Sequence, residues 1–163
     1  MRENKDITSA VERHANTVAR VCALYFGRRP ECDDAFQDTF LKYAQSDKEF
    51  EDDEHCKAWL ISVASNTCKD MLRRFEMKTV LTDQFEDTAS PHWHSGVEAD
   101  GRAEELNEAL QQLDEKFRVV LYLKYYEGYT AAEIAEMLDM PENTVYTNLT
   151  RGREKLKEVL TRG

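Results

Sequence analysis

The chain has 163 residues, enough for one medium domain or two small ones. Its 22 basic and 32 acidic side chains leave a net charge of −10, which argues against a protein that coats nucleic acid without regard to sequence. No run of 18 apolar residues occurs, and Met-Arg-Glu-Asn-Lys-Asp leads into no apolar signal core, so a cytoplasmic protein without membrane insertion of its own is expected.

From the first residue onward the pattern is helical. Ile7, Val11, Val18, Val21, Leu24 and Phe26 recur at helical spacing over 7–26, and Gly27 to Pro30 breaks that helix. A second helix is expected over Glu31–Gln45, with Cys32, Ala35, Phe36, Phe40 and Tyr43 inward. It sets Asp34, Gln37, Asp38 and Leu41 on one face, suited to a basic helical partner. Ser46–Glu54 is a strongly acidic loop. A third helix, His55–Phe75, has its apolar seam at Ile61, Ala64, Cys68 and Met71 or Leu72. Its polar side carries Asn66, Lys69, Asp70, Arg73 and Arg74, where Asn and Asp can read a base edge and the cations can hold phosphates.

Residues 76–110 hold 2 basic and 9 acidic side chains, and periodicity is lost from Lys78 to about Gly101, so a flexible acidic linker is expected there. Arg102–Leu113 opens a new helix, Asp114 caps another over Lys116–Tyr126, and Gly128 ends it. Thr130 and Glu133 then form a capping box. Ile134, Ala135 and Leu138 make an apolar stripe, Asp139 sits at a turn, Met140 points to the core and Pro141 leads into a last helix. That helix has its seam at Val145, Leu149, Gly152 and Leu156. Its other side offers Glu142, Asn143, Tyr146, Thr147, Thr150 and Arg151, followed by the basic end Arg151, Arg153, Lys155 and Lys157. This is a helix-turn-helix, the layout that inserts one helix into a DNA major groove. Residues 143–163 carry 5 basic and 2 acidic side chains, so the reading helix is locally positive within an acidic chain.

The fold expected is therefore all-α: two small helical domains, 1–77 and 102–163, joined by a flexible acidic linker, 78–101. Cys22, Cys32, Cys56 and Cys68 form no Cys-x-x-Cys pair. With His14 or His55 they match no metal-ligand template, so free thiols, no metal and no cofactor are expected. His14, His55, His92 and His94 pair with no nucleophile, so no catalytic site is expected.

The run Asp34-Ala-Phe-Gln-Asp-Thr-Phe-Leu, then Ala58-Trp-Leu-Ile-Ser-Val-Ala-Ser-Asn-Thr-Cys-Lys-Asp-Met-Leu-Arg-Arg, then the helix-turn-helix, resembles a bacterial RNA polymerase sigma factor. The closest resemblance is to the extracytoplasmic-function (ECF) group, which keeps only regions 2 and 4. It covers about residues 10–75 and 105–160. It implies that the face of Asp34, Gln37, Asp38 and Leu41 docks on RNA polymerase core. It implies that loop 46–57 with Asn66 and Asp70 captures an unstacked base of the −10 element, while Lys69, Arg73 and Arg74 hold the strand backbone. It implies that Tyr146, Thr147, Asn148, Thr150, Arg151 and Lys155 read the −35 duplex of promoter DNA. An anti-sigma factor is a further implied partner. A stand-alone helix-turn-helix regulator with a helical sensing domain is the alternative that the residues themselves leave open. The chain departs from the family pattern at Tyr146 and Asn148, where basic residues are usual, at Asp139, where Gly is frequent, at Ala35, usually Leu, and at Gly152, usually Ala. Loss of two cations implies up to two fewer phosphate contacts, each contributing roughly 0.9 to the salt slope.

Overall fold

The computed structural model describes residues 2–27, 29–79 and 108–162. It divides into two compact units, one N-terminal and one C-terminal, with the division at Pro91–His92. Every regular element among the described residues is helical.

The first unit packs three helices against one another: α1 (Asn4–Phe26), α2 (Glu31–Gln45) and α3 (Asp53–Thr79). α1 stops at Gly27, whose φ of 65° is a left-handed value that glycine adopts without steric cost and whose N–H donates to Ala23 O at 2.8 Å. α2 begins after Pro30 with Glu31, Asp33 and Asp34 in its first turn, where carboxylates face the positive end of the helix dipole. α3 starts two residues ahead of the sequence expectation. Asp52 explains the difference, because its Oδ1 accepts the His55 N–H at 2.8 Å and its carbonyl accepts that of Cys56 at 3.2 Å. α3 also runs past Phe75 to Thr79, so residues 78 and 79, expected in the linker, are helical. The remainder of the expected linker lies outside the described residues, as do His92, His94 and the helix start at Arg102.

The core of this unit is Val18, Val21, Cys22 and Leu24 from α1, Ala35, Thr39, Phe40 and Tyr43 from α2, and Leu60, Ile61, Ala64 and Cys68 from α3. All six residues from Val21 to Phe26 are buried, so the end of α1 is enclosed on every side. Thr39 is buried without penalty because its hydroxyl donates to Ala35 O at 2.7 Å. Cys32 and Phe36, expected inward, are half-buried, and so are Met71 and Leu72 at the far end of the α3 seam.

In the second unit residues 108–111 are helical and bury Ala109 and Leu110, with Leu113 buried just beyond. α4 (Glu115–Leu121) passes directly into a π-helical turn, Tyr122–Tyr126. Asp114 holds the N-cap position, yet its side chain makes no cap hydrogen bond. Its carbonyl accepts the N–H groups of Phe117 and Arg118 instead, which corrects the expected side-chain cap. In the π turn the Glu127 N–H reaches back five residues to Tyr122 O at 3.1 Å, and Gly128 at φ 83° redirects the chain. The Tyr122 and Tyr126 rings stack at 5.0 Å, and the Tyr122 hydroxyl donates to Glu127 Oε2 at 2.6 Å. α5 (Ala131–Leu138) and α6 (Glu142–Arg162) complete the unit.

Candidate nucleic-acid interface

The turn between α5 and α6 is built as its residues suggest. The Thr130 hydroxyl accepts the Glu133 N–H at 3.2 Å, and the Glu133 carboxylate accepts the Thr130 N–H at 2.9 Å, closing the capping box. Asp139 takes the left-handed conformation, φ 53° and ψ 55°. The Met140 N–H then returns to Ala135 O at 3.0 Å, a six-to-one bond that seals the helix end. Met140 itself is half-buried. Pro141, which has no N–H to leave unpaired, accepts from Thr144 and Val145.

α6 buries Val145, Leu149 and Gly152 as expected, and Leu156 is half-buried. Gly152 packs tightly on α4: a Cβ there would lie 3.1 Å from Leu121 Cδ1 and 3.3 Å from Phe117 Cβ. The exposed arc carries Tyr146, Thr147, Thr150 and Arg151. The Thr147 hydroxyl donates to Asn143 O at 2.9 Å, so its hydrogen is committed to the helix. Two expected readers depart from that arc. Asn148 is buried, on the side of α6 that packs on the unit, so it is not on the exposed reading face. Lys155 is exposed, but its Nζ leans over the Phe117 ring, 5.9 Å from the centroid. Arg153, from the basic end, donates to the Tyr125 hydroxyl at 2.9 Å.

In the first unit, Asp34, Gln37 and Leu41 are exposed on α2 beside half-exposed Asp38. Leu41 is 52% exposed, an apolar side chain set among polar ones. Lys42 ties this face to α3: its Nζ lies 3.1 Å from Asp38 Oδ2 and donates to Thr67 Oγ1 at 2.8 Å. On α3, Asn66, Asp70, Arg73 and Arg74 are exposed and Lys69 is half-buried. Asn66, Asp70 and Arg73 follow at i, i+4 and i+7, hence along one stripe. Arg73 Nη2 lies 3.5 Å from Asp70 Oδ1.

Between α2 and α3, residues 46–52 hold four carboxylates and one lysine. Such a loop repels phosphate but suits the exocyclic amino groups of an unstacked base, which donate hydrogen bonds. An aromatic cluster supports it. The Phe50 ring sits 6.3 Å from Tyr43, 5.6 Å from Trp59 and 5.3 Å from His55. At the loop's far end Asp53 Oδ1 bonds buried His14 Nε2 at 2.9 Å and accepts from Arg13. Sequence reasoning missed these anchors, because residues 39 and 40 positions apart carry no mutual spacing signal. His14, expected neither to bind metal nor to serve a nucleophile, is a structural partner of Asp53. Among the described residues no cluster of His, Cys, Asp and Glu is arranged to hold a metal ion.

The thiols are packed as core. Cys22 is held well above the ordinary thiol range by its hydrogen bond with Cys68 and by burial. Burial pushes Cys32 up to about 12, with neighbouring Cys22 adding to the effect. Burial also raises Cys56 and Tyr43.

Comparison with known proteins adds an independent line. The family model for sigma-70 region 2 matches residues 10–76, and that for sigma-70 region 4 matches residues 103–156. The ECF RNA polymerase sigma factor SigW of Bacillus subtilis is 28% identical over 161 residues, covering 92% of this chain and 86% of the relative. RNA polymerase sigma factor CarQ of Myxococcus xanthus is 30% identical over 149 residues, covering 91% and 85%. Among solved structures, the sigma factor RpoE in complex with the anti-sigma factor NepR from Bartonella quintana superposes with a TM-score of 0.77 at 20% identity, covering 96% of this chain and 98% of that one. CnrH, solved with the cytosolic domain of CnrY, gives 0.62 at 23% identity, covering 98% and 90%. These two likenesses speak to the fold.

Proposed function

The chain belongs to the ECF group of the sigma-70 family, and from that premise we propose how its residues divide the work of directing RNA polymerase to promoters. As an ECF sigma factor it is a DNA-binding subunit that binds polymerase core and sets promoter-specific initiation. Residues 1–79 act as region 2, 102–163 as region 4, and 80–101 as the tether between them. No covalent chemistry falls to the chain itself. It works in the cytoplasm, where its polymerase is, and no helix among the described residues is long and apolar enough to cross a membrane.

The observation that carries this reading is the α3 stripe. Asn66 and Asp70 offer donors and acceptors for one unstacked base of the −10 element, on the helix into which the acidic loop 46–52 leads. Arg73, Arg74 and Lys69 flank them as phosphate partners. Flipping a base out costs a few kcal/mol, offset by stacking and by hydrogen bonds in the capturing site. Leu41, set between Gln37 and Asp38 on one side and Lys42 on the other, gives α2 an apolar anchor within an acidic face for a basic helical surface of the core enzyme. In region 4, Thr147 and Thr150 read base edges of the −35 duplex, while Tyr146 and Arg151 flank them. Lys155 serves a phosphate at the rim. An anti-sigma partner is proposed by analogy with the complexes solved for RpoE and CnrH.

The test is run-off transcription with purified core on promoter fragments varied at the −10 element. Asn66→Ala should lose discrimination by roughly five- to a hundredfold, the range for one base-reading contact, while still binding core. Unchanged promoter choice by this variant would remove Asn66 from the reading site. Failure of the wild-type chain to bind core would sink the whole assignment.

A further inference from the structure

We propose that Arg2 is a positioning residue for the −10-capturing loop, a clamp that fixes the loop's shape before DNA arrives. The inference rests on the strand-capture reading above for its functional half, and on geometry alone for its structural half.

Arg2 lies ahead of α1, yet its backbone N–H and two of its guanidinium nitrogens are spent on the end of α2 and the loop that follows. Its backbone N–H donates to Ala44 O at 2.9 Å. Its Nε donates to Tyr43 O at 2.9 Å, and its Nη2 donates to Lys48 O within the loop. The guanidinium carbon stands 4.2 Å from the Tyr43 ring centroid and 5.4 Å from that of Phe50. One side chain thus joins a helix end, a loop carbonyl and the aromatic ring that roots the loop.

Each contact has a physical reason. The last carbonyls of α2 have no partner within the helix, and a cation at a helix C-terminus is favoured by the dipole. The ring faces of Tyr43 and Phe50 attract a cation, more strongly where water is partly excluded. Arginine alone meets all these demands at once. Its planar fork reaches two carbonyls in different directions while its face stacks on a ring, whereas a lysine would supply charge without the fork. At the other end of the loop, Asp53 is tied to His14 and Arg13. The loop is therefore held at both ends by groups from α1 and the segment before it, leaving Glu49 and Glu51 exposed on a fixed frame. A binding loop already in its bound shape loses less entropy on capture.

Two readouts test the proposal. In the free full-length chain, trypsin cleavage after Lys48, followed by mass spectrometry, reports the loop directly. Arg2→Gln should cleave there roughly five- to tenfold faster than wild type, as expected for loss of one partly desolvated cation–ring contact. Arg2→Lys should fall between. Val18→Ala, which loosens the same core without touching the loop, serves as control. Cleavage in Arg2→Gln that is unchanged, or that rises only as far as in Val18→Ala at matched thermal stability, overturns the clamp. With polymerase core, Arg2→Gln should also lose discrimination between −10 sequences by a similar factor while binding core normally. If Asn66→Ala loses that discrimination and Arg2→Gln keeps it, the positioning role is overturned. If Asn66→Ala keeps it, the strand-capture reading fails, and the clamp stands or falls on the cleavage result.

Discussion

Gly152 gives up about 1 kcal/mol of helix propensity relative to alanine, and the reason is the α4 wall facing it. Leu121 and Phe117 leave a Cβ only 3.1–3.3 Å, and Phe117 Cβ cannot swing away as a side-chain tip could. Gly152→Ala should regain the propensity but overpack by about 1–3 kcal/mol, a net loss of about 1 kcal/mol in thermal unfolding. A gain in melting temperature would show that Leu121 repacks freely. Asn148 carries a second lesson. The resemblance counts it among the readers of the −35 duplex, yet it stands three residues from Val145 and beside Leu149 on the seam, and it is buried. The family's usual cation at that position would therefore meet the unit's interior here. Asn148→Arg should lower the melting temperature of the chain instead of tightening its grip on DNA.

At the level of elements, α1 and α3 meet through a seam in which Cys22 contacts Cys68. The folded thiols of Cys22, Cys32 and Cys56 all lie above the ordinary value of 9.0, so the fold retains protons that the unfolded chain releases. Their contribution is fully present below pH 9 and is lost as pH rises from there toward 12. Urea midpoints should fall across that window, and Cys22→Ala should flatten the fall; a flat wild-type profile would contradict the burial argument. Much of this architecture is legible in the residues. Helical spacing gives α1 and α2, the Thr130–Glu133 pair gives the start of α5, and a lone Asp139 gives the turn, because each signal lies within four residues of its partner. What is not legible is set by distance along the chain. Nothing in the sequence near Phe50 announces Arg2, and nothing near Asp53 announces His14. The π turn at Tyr122–Tyr126 is equally silent, since the same residues would serve an α-helix.

For the whole molecule the issue is how a chain of net charge −10 reads DNA. The exposed cations of region 4 gather toward the end of α6, and of the two positions where the family usually has a cation only Tyr146 is exposed. The salt slope of promoter binding is thus expected to fall by about one contact rather than two. Tyr146→Arg should steepen it by about 0.9 in a log–log titration, and no change would place Tyr146 away from the backbone. Region 2 adds a different consequence through Asp70 and Arg73. Their exposed pairing at 3.5 Å contributes only about 0.2–1 kcal/mol, so Arg73 can trade a carboxylate for a phosphate, and back again, with little change in energy. Initiation ends with the enzyme leaving its promoter. In the role proposed for Arg73, a carboxylate one turn back on its own helix makes departure from the strand a swap of partners, with Asp70 and water together taking the phosphate's place.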